Sequence, residues 1–245
     1  MASQPVNVSA EVCDQFSVVF AFDWPAACGW GPTLDAALAH LWPDIAFMAD
    51  WLTKRGLDVP APPAAFEPAI GERLIATGDP AVECDSEGFY SWDAEPFSDG
   101  ELVQTAMLLG FSRAELMAVV NGLSDAALDL RLVEGKRTIR EILDHIAIAE
   151  WWYTTRVMAD PGAARSWRDY GTDAHSRLAA VRDLYLREHL PRLAGMTEEE
   201  RRRRLTLGRE TWSARKTLRR AFWHEMLHYK QLLRLVPKVL RAVSD

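Results

Sequence analysis

The chain has 245 residues, of which 49% are hydrophobic and 26% charged, an ordinary soluble composition with room for one large domain or two modest ones. Its net charge of −7 is unevenly spread: residues 1–95 carry 3 Lys/Arg against 15 Asp/Glu, a balance of −12, and residues 96–245 carry 25 against 20, a balance of +5. The split suggests two domains, 1–95 and 96–245, and the small, acid-interleaved basic surplus argues against nucleic-acid binding.

The N-terminus, MASQPVNVSAEVCDQF, lacks the basic flank and apolar stretch of a secretory signal. No apolar run approaches the roughly 18 residues that would cross a bilayer, so no membrane association is expected and the cytoplasm is the expected compartment. Cys13, Cys28 and Cys84 form no CxxC and are expected to be reduced thiols. Residues 15–23 (QFSVVFAFD) read as a strand, followed by a turn at Trp24–Pro25 and a second strand ending near Trp30, together a hairpin. After Gly31–Pro32, the apolar spacing of Leu34, Ala37, Leu38, Leu41, Ile45, Met48 and Leu52 predicts a helix, kinked at Pro43 and closed by Gly56. Residues 57–68 read as a Pro/Ala connector, with further short strands around Glu72–Ala76 and Gly88–Trp92.

From Ser98 the pattern becomes that of long helices, near 98–121, 138–159, 172–195 and 211–236. Ser98 with Glu101, Thr138 with Glu141, and Thr197 with Glu200 have capping-box spacing, the last suited to a short turn. Breakers at Gly122 to Gly135, Asp160–Pro161–Gly162 and Gly195 to Gly208 separate the helices, which predicts an all-α antiparallel four-helix bundle behind an α+β N-terminal domain. The run Arg201–Arg204 reads as a solvated loop.

The strongest chemical signal is HEMLH, His224 to His228. Histidines four apart leave one face of a helix and can reach one metal ion. The same pattern marks zincin proteases, with Glu225 as base, but those need a downstream third ligand, and the 17 residues after His228 hold only Asp245 as an acid. An upstream ligand is therefore required. His145 lies on or beside the apolar stripe Ile142, Ile146, Ala149 and Trp152. Alone it would read as a core histidine; together, three core-facing imidazoles are better explained by a shared metal than by three desolvation penalties.

The stretches KRTIREILDHIAIAEWWY and WSARKTLRRAFWHEMLHYKQL resemble the DinB-like superfamily of bacterial four-helix bundles over roughly residues 98–236. The resemblance implies a metal triad at His145, His224 and His228. It also implies one divalent transition metal such as zinc, nickel or iron, and an activity like that of relatives that are thiol-dependent transferases and isomerases. A small-molecule thiol is then the expected partner, and a homodimer is admitted. Residues 16–60 are more faintly similar to HicB-type antitoxin domains, which would imply a protein partner or an accessory role in dimerisation or in covering the metal site. Two other functions stay open, a metal-stabilised binding module without catalysis and a metal-dependent hydrolase.

Around the triad, Trp152 and Tyr153 are candidate substrate-binding residues, and Gln231 is placed to orient a histidine or meet a ligand. Glu150 flanks them, and Glu225 could point beside the metal or outward. Arg215, Lys216, Arg219 and Arg220 could meet a carboxylate but read as a solvated helix face. His40, His175 and His189 read as surface or incidental residues, and most of the ten tryptophans as core or domain-interface fillers.

Overall fold

The computed structural model describes residues 5–80, 85–156 and 166–244; Cys84, the Asp160–Pro161–Gly162 breaker and residues 157–159 of the second expected helix lie outside them. The chain divides into two compact units, Met1–Glu95 with Leu205–Thr211, and Pro96–Arg204 with Trp212–Asp245.

The first unit is a four-stranded sheet with a helix. Its strands are β1 (Val6–Val12), β2 (Ser17–Phe20), β3 (Cys28–Gly31) and β4 (Pro68–Ile75), in the order β3-β2-β1-β4. β1–β2 and β2–β3 pair antiparallel, and β4 runs parallel to β1. β1 was not among the expected strands: Val6, Val8 and Ala10 do alternate with Asn7, Ser9 and Glu11 as in a half-buried strand, but Glu11 departs from the pattern because it is buried. Its carboxylate accepts hydrogen bonds from the Tyr90 hydroxyl (2.8 Å), the Glu87 backbone N–H (3.0 Å) and the Ser86 hydroxyl, which offset the cost of burying the charge. The turn after β2 is closed by Ala27 N–H to Trp24 C=O (2.9 Å), with Ala26 at φ 68°.

α1 (Leu34–Thr53) starts at Thr33, whose hydroxyl accepts from Ala36 N–H (3.2 Å). It runs unbroken through Pro43. Both Pro43 and Ala39, whose carbonyl loses its partner, are exposed, so water can replace the missing bond. Gly29 lets α1 approach β3, since a Cβ there would stand 2.0 Å from the Ala37 carbonyl oxygen. The strand expected at Gly88–Trp92 is instead the short helix α2 (Ser91–Ala94). The Glu72 carboxylate accepts from the Ser91 N–H (3.0 Å) and hydroxyl (2.8 Å), and Asp93 accepts from Tyr90 N–H (3.0 Å); these local bonds outweigh strand propensity.

The second unit is mostly helical. It contains α3 (Asp99–Val120), α4 (Asp125–Asp129), α5 (Ile139–Arg156), α6 (Ala174–Leu184), α7 (Leu190–Ala194), α8 (Glu198–Arg202) and α9 (Ala214–Ser244). The three expected capping boxes form, at Ser98, Thr138 and Thr197. α6 and α7 are joined by a π-helical turn at Tyr185–His189, which falls where Pro191 cannot donate to the preceding turn. A short hairpin, β5 (Leu205–Leu207) with β6 (Glu210–Trp212), precedes α9 and, up to Thr211, belongs to the first unit. Arg201 is not a solvated residue: its guanidinium donates to the Phe97 carbonyl (3.1 Å), pairs with Asp99 (2.6 Å) and lies over the Phe97 ring.

The long helices are not uniformly antiparallel. Glu101 pairs with Arg215 and Ser112 with Glu225, so α3 and α9 run in the same direction. Asp144 pairs with Arg177 and Glu150 with Arg182, so α5 and α6 do too. The reason is length: residues 157–173 can extend up to about 55 Å at ~3.3 Å each, enough to return along a helix of ~27 Å. α3 is the one described helix long and apolar enough by composition to cross a bilayer, with an 18-residue mean hydropathy of 1.3, although it is not an unbroken apolar run. One such helix is weak evidence for a membrane, and this one buries Arg113 and Ser112 in a polar network.

Candidate metal centre

α5 and α9 pack against each other in opposite directions, and their facing sides carry the three histidines. His224 and His228 stand one turn apart on α9, and His145 faces them from α5. The ring centroids form a near-equilateral triangle: 4.8 Å from His145 to His224, 4.9 Å from His145 to His228 and 4.5 Å from His224 to His228. His224 Nε2 lies 3.1 Å from His145 Nε2 and 3.2 Å from His228 Nε2, and one ligand atom from each ring lies within 4.8 Å of the others. His228 Nδ1–H donates to Gln231 Oε1 (2.7 Å), which leaves its Nε2 lone pair facing the other rings.

Electrostatics keep these rings neutral. Burial pushes His145 down to about 3, helped by His228 and Arg137. Burial pushes His228 down to about 4, against a raising contribution from Gln231. Burial also holds His224 well below its ordinary value, followed by the charges of His228, His145 and Arg220. Three neutral imidazoles whose nitrogens converge cannot all be satisfied by one shared proton. A cation satisfies all three. Nitrogens bound to one metal at 2.0–2.1 Å stand about 3.3 Å apart at a tetrahedral angle and about 2.9 Å apart at a right angle; two of the three separations, 3.1 and 3.2 Å, lie between, and the His145–His228 pair would have to close to the same range around a shared ion. The donor set fits a divalent transition metal.

Glu225 points away from the triad and is not placed as its base. Its Oε1 accepts from the Ser112 hydroxyl (2.8 Å), and its Oε2 pairs with Arg113 (2.8 Å) and Arg182. Glu150 completes the cluster, bonded to Arg113 (2.8 Å) and Arg182 (2.5 Å). Burial alone would raise the Glu150 pKa, but the two guanidinium charges hold it below its ordinary value. The network ties α3, α5, α6 and α9 together behind the histidines. Arg113 and Arg182 were not singled out in the sequence; their one signal is a guanidinium within an apolar helix pattern.

Tyr153 lies beside the triad, its ring centre 5.9 Å from that of His224. Trp152 is half-buried, one ring further out, against Tyr153 (5.7 Å) and Trp212 (4.9 Å), with Arg156 over its face. The basic group before the motif is only partly a solvated face. Arg215 pairs with Glu101, but Lys216 and Arg220 are buried. The Lys216 ammonium stands 4.4 Å from the centre of the Trp212 ring, and the Arg220 guanidinium 5.7 Å from that of Tyr153 and 4.9 Å from that of Trp223. Trp212, missed in the sequence, is fully buried, and its Nε1–H has no acceptor among the described residues, a state that costs about 1–3 kcal/mol. His189 is also buried rather than at the surface, and neither ring nitrogen has a hydrogen-bond partner among the described residues. His40 is exposed and bonds the Trp30 carbonyl through Nδ1.

A family profile described as the DinB superfamily matches residues 108–232, which span all three histidines. Apart from residues 205–211 the match lies in the second unit, and it lends nothing to the HicB-like resemblance of residues 16–60. No curated protein and no solved structure matches the chain.

Proposed function

The chain belongs to the DinB superfamily, and from that premise we propose that it is a metal-dependent transferase or isomerase that uses a low-molecular-weight thiol. In this reading α3, α5, the stretch 174–194 and α9 are the walls of a four-helix bundle, and His145, His224 and His228 hold one divalent ion inside it. The carrying observation is the convergence of Nε2 atoms from α5 and α9 to 3.1 and 3.2 Å. Superfamily members are often metal-binding, and three protein ligands leave coordination positions open, as catalytic sites do.

When bound, the ion supplies Lewis acidity that lowers the pKa of a thiol and so raises its nucleophilic fraction. The chain's own residues prepare the place. Gln231 keeps the proton on His228 Nδ1 and fixes the ring. Burial keeps all three imidazoles deprotonated at neutral pH. Tyr153 forms a wall beside His224 and limits the approach of water. Three imidazoles suit zinc, nickel or iron by donor type.

The test is thermal stability of tag-free protein, metal-loaded and metal-free, against a panel of small thiols. A thiol at about 100 times its Kd is expected to add roughly 2.7 kcal/mol to the metal-loaded form alone. No shift with any thiol would reject the thiol reading and favour a metal-stabilised binding module.

A further inference from the structure

The sheet of the first unit has two unlike faces. Ala10, Val19 and Gly29 lie side by side on the face that α1 covers, where a Cβ on Gly29 would strike the Ala37 carbonyl oxygen. Ser9, with its partners Phe20 on β2 and Glu72 on β4, faces the other way. β4 bulges there: Gly71 has no partner between Ile70, opposite Val8, and Glu72, opposite Ser9. Between this face and α2 lies an open cavity of about 540 Å³, within the roughly 300–1,000 Å³ of small-molecule sites. Phe22 and Trp92 form its aromatic wall, stacked with ring centres 5.9 Å apart, and Trp92 stays 41% exposed. Asp23, Glu72 and Glu95 bring three carboxylates to it, and no described Lys, Arg or His lines it. Glu72 is held by the Ser91 N–H (3.0 Å) and hydroxyl (2.8 Å). Asp23 and Glu95 are exposed, and their carboxylates have no partner among the described residues. The four Lys/Arg of the unit are placed elsewhere: Lys54 pairs with Asp50, Arg55 lies over Trp51, Arg209 pairs with Glu87, and Arg73, opposite Ala10, faces the side of α1.

We propose that this cavity binds a guanidinium cation, free or carried on an arginine side chain, between its three carboxylates and the Phe22–Trp92 wall. A cleft lined by one sign of charge concentrates its field and draws in the opposite charge. An inorganic cation would use the oxygens and leave the aromatic wall idle. A guanidinium uses both, because its flat fork donates to carboxylates in pairs and its plane stacks on a ring. An alkylammonium supplies the charge without the paired, planar fit. All of these residues lie in the first unit, so the site owes nothing to the thiol reading.

The experiment titrates n-butylguanidinium, n-butylammonium and the uncharged n-butylurea into tag-free protein and reads the heat of binding. The guanidinium is expected to bind about tenfold tighter than the urea or better, the worth of one charge-assisted hydrogen bond, and tighter than the ammonium. Asp23→Asn combined with Glu95→Gln is expected to bring guanidinium and urea to within about twofold of each other. Trp92→Ala is expected to weaken the guanidinium about two- to fivefold, the range of an exposed cation–π contact. N-acetylarginine methylamide separates the sources: binding as tight as that of butylguanidinium supports an arginine borne by a protein, and much weaker binding supports a free guanidine. Equal binding of guanidinium and urea by the wild-type protein, or no binding of either, would overturn the site. Guanidinium binding untouched by the double substitution would place it elsewhere and overturn the site as well, and an ammonium bound as tightly would overturn the guanidinium assignment. Should the double variant fail to fold, the wild-type series and Trp92→Ala still decide.

Discussion

At the scale of single residues, two side chains carry consequences that can be measured. Gln231 touches His228 alone in the triad, through one 2.7 Å hydrogen bond. Gln231→Leu is expected to keep the fold and weaken metal affinity about 10- to 100-fold, by titration against a competing chelator, because the ring loses its fixed tautomer. Unchanged affinity would remove Gln231 from the site. His189 tests the electrostatics away from the triad. Burial, with a smaller contribution from Arg192, holds its pKa down to about 3 against an ordinary 6.5. Between those values the unfolded chain binds a proton that the folded chain refuses. Stability from this residue is therefore complete above about pH 6.5 and falls as pH drops, by up to about 1.4 kcal/mol per pH unit, until the slope vanishes near pH 3. Denaturation of metal-free protein between pH 7 and 4 should show a slope shallower by about one proton in His189→Leu; an unchanged slope would contradict the assignment.

Among the elements, the network of Arg113, Glu150, Arg182 and Glu225 joins four helices with two charges of each sign. Removing one carboxylate leaves two buried guanidinium groups facing one acid, so Glu225→Gln is expected to cost about 3–5 kcal/mol in chemical denaturation. A loss under 1 kcal/mol would mean that the cluster relaxes into water. The elements also show what a sequence can disclose. Helix starts were legible because Ser98, Thr138 and Thr197 each carry their Glu three residues on, a local signal read locally. The histidines were legible because four-residue spacing and an apolar neighbourhood survive in one dimension. The direction of α6 relative to α5 was not, since it depends on how a long connection returns. Nor was the buried place of Glu11, Lys216, Arg220 and His189, whose surroundings come from residues distant in the chain. α2 was read as a strand because its caps, Glu72 and Asp93, act through side-chain bonds that composition does not reveal.

For the whole molecule, the two compact units divide the chemistry unevenly. The acidic first unit holds a four-stranded sheet whose one buried acid on β1, Glu11, is satisfied by Ser86, Glu87 and Tyr90. The second unit holds the superfamily match, the ion-pair network and the three histidines. The arrangement of parallel pairs, α3 with α9 and α5 with α6, brings α5 against α9 in opposite directions and so sets one histidine across from two. That juxtaposition is the centre of the functional reading, and metal content tests it most directly. Tag-free protein, loaded with zinc and dialysed, is expected to retain about one equivalent, and His145→Ala, folded by circular dichroism, to retain almost none. Equal metal in the two proteins, or none in the wild type, would contradict a site shared between α5 and α9.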